Sequence, residues 1–420
     1  MTNTLTMHEV VDLDKYFINR YFDDNFLEFL SVKKREYSKT YTLNINDNKL
    51  SQLYNICLKL HRDADDKLKL CENLVRSMNS IAETESKWIM YPLYQVGKQL
   101  IKQCGDDVSD LENCGRLIHR SFNICLNDRN PVEHENRGIG SFSFANLEFL
   151  IYHKLDNRDM IKNLVKVLQS RSKDTLEAVR EVEYKGHIVR YYYYMGEYYG
   201  CYESDFSKGY TFLYAALLEC KREYTNQIEK ILMLLIPFSM LYNKWYINEE
   251  VLNGLLGSSD TGSVLGGIFA PIIKSYKTGN LELFDAEFQK NELYFLNNGT
   301  YVALSMIREL VALKFIKRCC KIIGGTKTIV SLKSIAAVYK KNSITTKMLK
   351  SLNKKKSKVK SNKQVTEEEQ FDDLLDEIEC ILANLINKGY IKGYLSHSNR
   401  CLVLSKNDAF PTLSNPRLTV

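Results

Sequence analysis

Within residues 371–405 the hydrophobic positions change period once, and the change calls for two kinds of structure. Leu374, Leu375, Ile378, Ile381, Leu382, Leu385 and Ile386 recur at three- and four-residue steps and give a single helical stripe. Gly389 follows where a helix closes on a left-handed residue. Beyond it Ile391, Gly393 and Leu395 alternate with Lys392, Tyr394 and Ser396. After a turn at Ser398 and Asn399, Leu402 and Leu404 alternate in the same way. Helix, glycine and hairpin make the second half of a winged helix.

Most of the remaining chain keeps the helical period. Tyr16, Phe17, Tyr21, Phe22, Phe26, Phe29 and Leu30 predict one amphipathic helix over residues 12–32. Further helices are expected at 48–62, 64–82, 87–104, 108–127, 142–155 and 158–171. From 176 onward the pattern is that of paired antiparallel helices: 176–201, 204–222, 225–241, 247–256, 263–276 and 280–295. A long helix over 299–322 then leads to Gly324 and Gly325, a short strand over 326–331 and a helix over 332–339. These would open the winged helix that 371–405 closes. The predicted fold is all-α: a right-handed helical-repeat solenoid, tetratricopeptide-like but without a repeat of fixed length, capped by a C-terminal winged helix with a small β-hairpin. The expected divisions are 1–175, 176–308 and 309–410, with a basic insertion at 340–370.

Charge is concentrated in that insertion. The chain carries 58 basic and 51 acidic residues, a net charge of +7. Ten of the lysines fall within 340–363, where there is no acid; without them the balance is 48 against 51. The segment is rich in Ser, Asn and Thr with few apolar residues, so it is expected to be disordered. Lys347, Lys350, Lys354, Lys355, Lys356, Lys358, Lys360 and Lys363 are candidate nucleic-acid contacts. Residues 354–358, KKKSK, also match a short nuclear-import pattern, and a solvated loop is the plain alternative. The third helix of the winged helix is a poor groove reader. Asp372, Asp373, Asp376, Glu377 and Glu379 crowd the half that would meet phosphates.

Catalytic patterns are missing. The seven histidines show no HExxH or zinc-ligand spacing, Gly324 and Gly325 lack phosphate-loop spacing, and there is no GxSxG. The 11 cysteines are scattered without a CxxC pair, as expected for reduced, buried thiols of a soluble intracellular protein. No enzyme activity, cofactor, metal or membrane span is expected. The tyrosines of 190–214 could stack on bases, but a helix aromatic on two faces fits an inner helix with neighbours on both sides.

Two quoted segments carry a family resemblance. CILANLINKGYIKGYLSH, residues 380–397, with LVLSKNDAFP, 402–411, resembles the end of a PCI domain, in the branch that contains COP9 signalosome subunit 12 and the PCI subunits of nuclear mRNA-export complexes. YYYYMGEYYGCYESDFSKGYTFLYAALLEC, residues 191–220, followed by ILMLLIPFSML at 231–241, resembles the same branch in the same order. The resemblance covers about residues 185–410.

It implies a non-enzymatic scaffold that pairs with another PCI-type protein through winged helices. The small acidic disordered protein of the proteasome lid is implied as a further partner, with RNA or DNA held by the lysines. The expected setting is a nuclear complex coupling transcription to mRNA splicing or export, with a distribution between nucleus and cytoplasm. The alternatives are a subunit of the nuclear-pore export complex and a purely structural subunit of a COP9 signalosome-like deneddylase assembly. The free sheet edge is expected at 401–406, with Tyr394, His397, Arg400, Leu402 and Leu404 as candidate partner contacts.

Overall fold

The computed structural model describes residues 9–32, 39–62, 66–132, 135–178, 185–256, 264–325, 328–342 and 367–412. The lysines from 347 to 363, and the disorder expected around them, lie outside these residues. The chain forms two compact units, Met1–Met195 and Gly196–Val420.

The first unit opens with a parallel pair of strands, β1 (Glu9–Asp12) and β2 (Lys39–Thr42), with α1 (Asp14–Asn19) and α2 (Asp24–Phe29) between them. The single helix expected over 12–32 is therefore two. Arg20 stands in the left-handed region at φ 53° and ends α1. Asp23 then accepts the Phe26 N–H to start α2 and also takes the Tyr16 hydroxyl, so one carboxylate anchors both helices. Next come α3 (Asn48–His61), α4 (Lys67–Ala82), α5 (Met90–Cys104), α6 (Val108–Leu126), α7 (Ser141–Lys154), α8 (Arg158–Ala178) and α9 (Lys185–Glu197), whose last turn crosses the unit boundary. Neighbouring helices pack in sequence, α3 on α4, α4 on α5 and α6 on α7. Aspartates set the starts: Asp47, Asp66 and Asp107 each accept backbone N–H groups of the first turn.

The second unit continues with a π-turn (Tyr198–Tyr202), then α10 (Phe206–Glu219), α11 (Thr225–Tyr242), α12 (Glu249–Leu256), α13 (Val264–Thr278), α14 (Leu281–Lys290), α15 (Glu292–Asn297) and α16 (Tyr301–Gly324). The tyrosine-rich segment is packing material. Tyr191, Tyr198 and Tyr199 are buried and Tyr192 to Tyr194 half-buried. A Cβ on Gly200 would fall 2.1 Å from the Phe238 ring, and one on Gly209 would fall 3.1 Å from the Gly200 Cα. The helices meet there at backbone distance, which only glycine allows.

After α16 come β3 (Ile329–Ser331), α17 (Leu332–Asn342), α18 (Glu367–Asn387), β4 (Gly393–Ser396) and β5 (Cys401–Leu404). The strands form one antiparallel sheet in the order β3-β5-β4. Leu402 stands opposite Val330 on one side and Leu395 on the other. The helices are thus closed by a winged helix, as expected. The strand order corrects one expectation: β5 is the central strand, enclosed on both sides, and the free edge is not at 401–406.

Candidate docking surface of the winged helix

The wing is built on the end of α18. Gly389, at φ 72°, closes the helix: the Tyr390 N–H reaches the Leu385 carbonyl and the Gly389 N–H that of Ile386. Gly393 begins β4 against β5 so closely that a Cβ would lie 2.3 Å from the Val403 carbonyl oxygen. The chain after β5 folds back over the start of β4. Lys392 donates its N–H to the Ala409 carbonyl, and its ammonium lies 3.0 Å from Asp408.

A charged latch fixes the hairpin turn to α18. Arg400, in the left-handed region at φ 44°, places Nη1 2.7 Å from Asp376 Oδ1 and 2.9 Å from Glu379 Oε1. His397 Nδ1 lies 2.7 Å from Glu379 Oε2. Burial pushes the Glu379 carboxyl up, but the hydrogen bonds from His397 and Arg400 prevail and hold it below the usual carboxylate range. Two residues before Glu379, Glu377 accepts the Tyr339 hydroxyl at 3.2 Å. Three acids of the crowded first half of α18 thus have partners within the domain, although Asp376 and Glu377 remain exposed, as Asp372 and Asp373 are.

The Glu377–Tyr339 contact, separate from the latch, continues into the helical repeats. Arg308 on α16 grips Asp285 on α14 with two bonds of 2.6 and 2.9 Å. That fork, with Tyr339 beside it, outweighs burial and raises the guanidinium pKa further. A polar chain from Asp285 through Arg308 and Tyr339 to Glu377 therefore joins α14, α16, α17 and α18.

The sheet has two outer strands, β3 and β4, and the chain after β5 bonds only to Lys392 at the start of β4. Among the described residues no element pairs with the outer side of β3. Val330 points into the core, whereas Ile329 is 60 % exposed. At the adjoining end of α16, Ile322 is 80 % exposed and Ile323 also reaches solvent. An open strand edge with one exposed isoleucine on it and two more at the adjoining helix end is a candidate docking surface, since isolated exposed apolar residues are ordinary but several beside unpaired backbone are not.

The candidate contact residues divide. Tyr394 is 62 % exposed on β4. His397 and Arg400 come together on Glu379 and serve the latch. Leu402 is 0 % exposed and Leu404 half-buried, so Leu402 belongs to the core and offers a partner nothing. The lysines from 347 to 363 lie outside the described residues. The isoleucines escaped notice in the sequence, although two consecutive ones just before Gly324 and Gly325 were the available signal. Among the described residues no group of His, Cys, Asp and Glu could hold a metal ion, and no helix is long and apolar enough to cross a membrane.

Residues 288–406 match the PCI domain, from the end of α14 through the winged helix. Over 96% of this chain and 99% of the relative's length, the sequence is 36% identical to "Cop9 signalosome complex subunit 12" of Saccharomyces cerevisiae. The chain belongs to the COP9 signalosome subunit 12 family of PCI-domain proteins. It is also 34% identical to "COP9 signalosome complex subunit 12" of Eremothecium gossypii, over 81% of each. More distantly, it is 25% identical to "PCI domain-containing protein 2" of Xenopus laevis, over 79% of this chain and 75% of that one. The match over nearly the full length extends the family to the N-terminal helices, where the sequence motifs were silent.

Proposed function

We propose that the chain is a non-catalytic subunit of a COP9 signalosome-like assembly, docking a second PCI-type protein along the outer edge of β3. The observation that carries this reading is that, of the two outer strands, β3 is the one with exposed isoleucines, Ile329 on it and Ile322 and Ile323 at the end of α16, while β5 is enclosed. A strand from a partner would satisfy the unpaired N–H and C=O groups, and its apolar side chains would cover the isoleucines. Fully burying one such side chain is worth about 1.5–3 kcal/mol, more than an exposed ion pair supplies. Affinity purification of the tagged chain, with identification of what co-purifies, tests the assignment. Signalosome subunits are the expected partners. An mRNA-export scaffold or a splicing-linked PCI protein in their place would overturn the signalosome assignment.

A second reading has the chain act in a nuclear complex coupling transcription to mRNA splicing or export, with RNA or DNA held near the wing. Ten lysines without an acid between 340 and 363 favour it. Distribution between nucleus and cytoplasm, and the small acidic proteasome-lid protein as a further partner, belong to this reading. Replacing Lys354, Lys355, Lys356, Lys358 and Lys360 with Gln should then weaken RNA binding by the assembled complex and flatten its salt dependence. Unchanged affinity across a salt series would remove the reading.

A further inference from the structure

Four buried thiols lie on consecutive helices of the first unit: Cys57 on α3, Cys71 on α4, Cys104 at the end of α5 and Cys114 on α6. The last two are the close pair. Cys104 Sγ lies 3.8 Å from the Asp110 carbonyl oxygen. Within an α-helix that oxygen accepts the N–H of residue 114, so the Cys104 sulfur sits beside Cys114. The two thiols indeed share a hydrogen bond. We propose that Cys104 and Cys114 form a reversible disulfide when the protein meets a hydroperoxide, cross-linking the α5–α6 corner.

The corner can accommodate the step. Only Gly105, Asp106 and Asp107 connect the helices, and Gly105 stands at φ +62° with open space around it. A disulfide needs the sulfurs to close to about 2.05 Å, and this short connection is where the adjustment would fall. Lys154 steadies it from α7, its ammonium 2.8 Å from the Gly105 carbonyl and 3.0 Å from Asp106.

The two sulfurs are also differentiated. The hydrogen bond from Cys114 and, to a lesser degree, Lys154 lower the Cys104 thiol, against burial, Asp110 and Glu72. The same bond and burial push the Cys114 thiol up. Both thiols are buried, but Cys104, 5 % exposed, lies nearer solvent than Cys114, at 0 %. The Cys104 thiolate attacks one peroxide oxygen, the O–O bond breaks, and hydroxide leaves, giving a sulfenic acid. The Cys114 sulfur then attacks that sulfur, its proton joins the departing hydroxide as water, and the S–S bond forms. Two thiols are oxidised and hydrogen peroxide is reduced to two waters.

The test is peptide mapping of the reduced full-length chain after hydrogen peroxide treatment, without reductant. A peptide pair linking Cys104 to Cys114, released by dithiothreitol, is expected, with a higher unfolding temperature for the oxidised protein. In Cys114→Ser, dimedone should trap a sulfenic acid at Cys104. Should that variant fail to fold, the mapping of the unaltered chain still decides. Linkage of Cys104 to Cys71, or two free thiols while the exposed Cys380 is oxidised, would overturn the proposal.

Discussion

Leu402 and Tyr394 share the wing and have opposite environments, one sealed between two strands and one in solvent. Leu402→Ala should cost about 2–5 kcal/mol, because the cavity opens in the middle of a three-stranded sheet. Tyr394→Ala should stay within about 0.5 kcal/mol. Chemical denaturation of both variants checks the pair, and equal losses would contradict the strand order. Glu379 gives a pH test of the latch. Its folded-state pKa lies below its ordinary value, so its contribution is present above about pH 4.3 and is lost as the pH falls through the folded value. Glu379→Gln should remove that acid-range dependence from the thermal melting curve, by a small amount because its partner His397 is largely exposed and Arg400 is shared with the exposed Asp376. The latch was not legible in the sequence. Counting acids on α18 showed a negative helix end, but only the fold reveals that Arg400 and His397 return to it.

At the scale of elements, the half-buried His187 at the start of α9 makes a broader prediction. Burial lowers its pKa to about 4, helped by Arg190 and Lys98, and its ring meets Tyr94 edge-on at 4.6 Å. Held neutral in the fold, it contributes fully above its unfolded pKa of about 6.5, and that stability is lost as the pH falls from there to about 4. The loss is on the order of 3 kcal/mol, and His187→Gln should flatten the fall in unfolding temperature over that window. Elsewhere, Arg308→Ala should cost about 1–3 kcal/mol by leaving Asp285 unpaired where α14 meets α16, measurable by urea denaturation. Long stripes were read closely: residues 225–241, 263–276 and 299–322 became α11, α13 and α16. Single residues broke what periodicity joined, as Arg20 and Asp23 did within 12–32. Pairing between distant segments left no local mark. The four residues of β2 carry too short a pattern to announce β1, and no alternation of side chains states that β5 lies between β3 and β4.

For the whole molecule, family membership follows from similarity along nearly the full chain, whereas the proposed docking edge is argued from the strand order and the exposed isoleucines. The net charge of +7 hides a body of slightly acidic balance, so contacts made by the described residues need not be electropositive. The most direct measurement is partner co-purification with the double variant Ile322→Asp/Ile329→Asp, alongside Leu218→Asp on the exposed face of α10. With circular dichroism and unfolding temperature unchanged, the edge variant should lose its PCI-type partner and the α10 variant should keep it. Full partner recovery by the folded edge variant would contradict docking on β3.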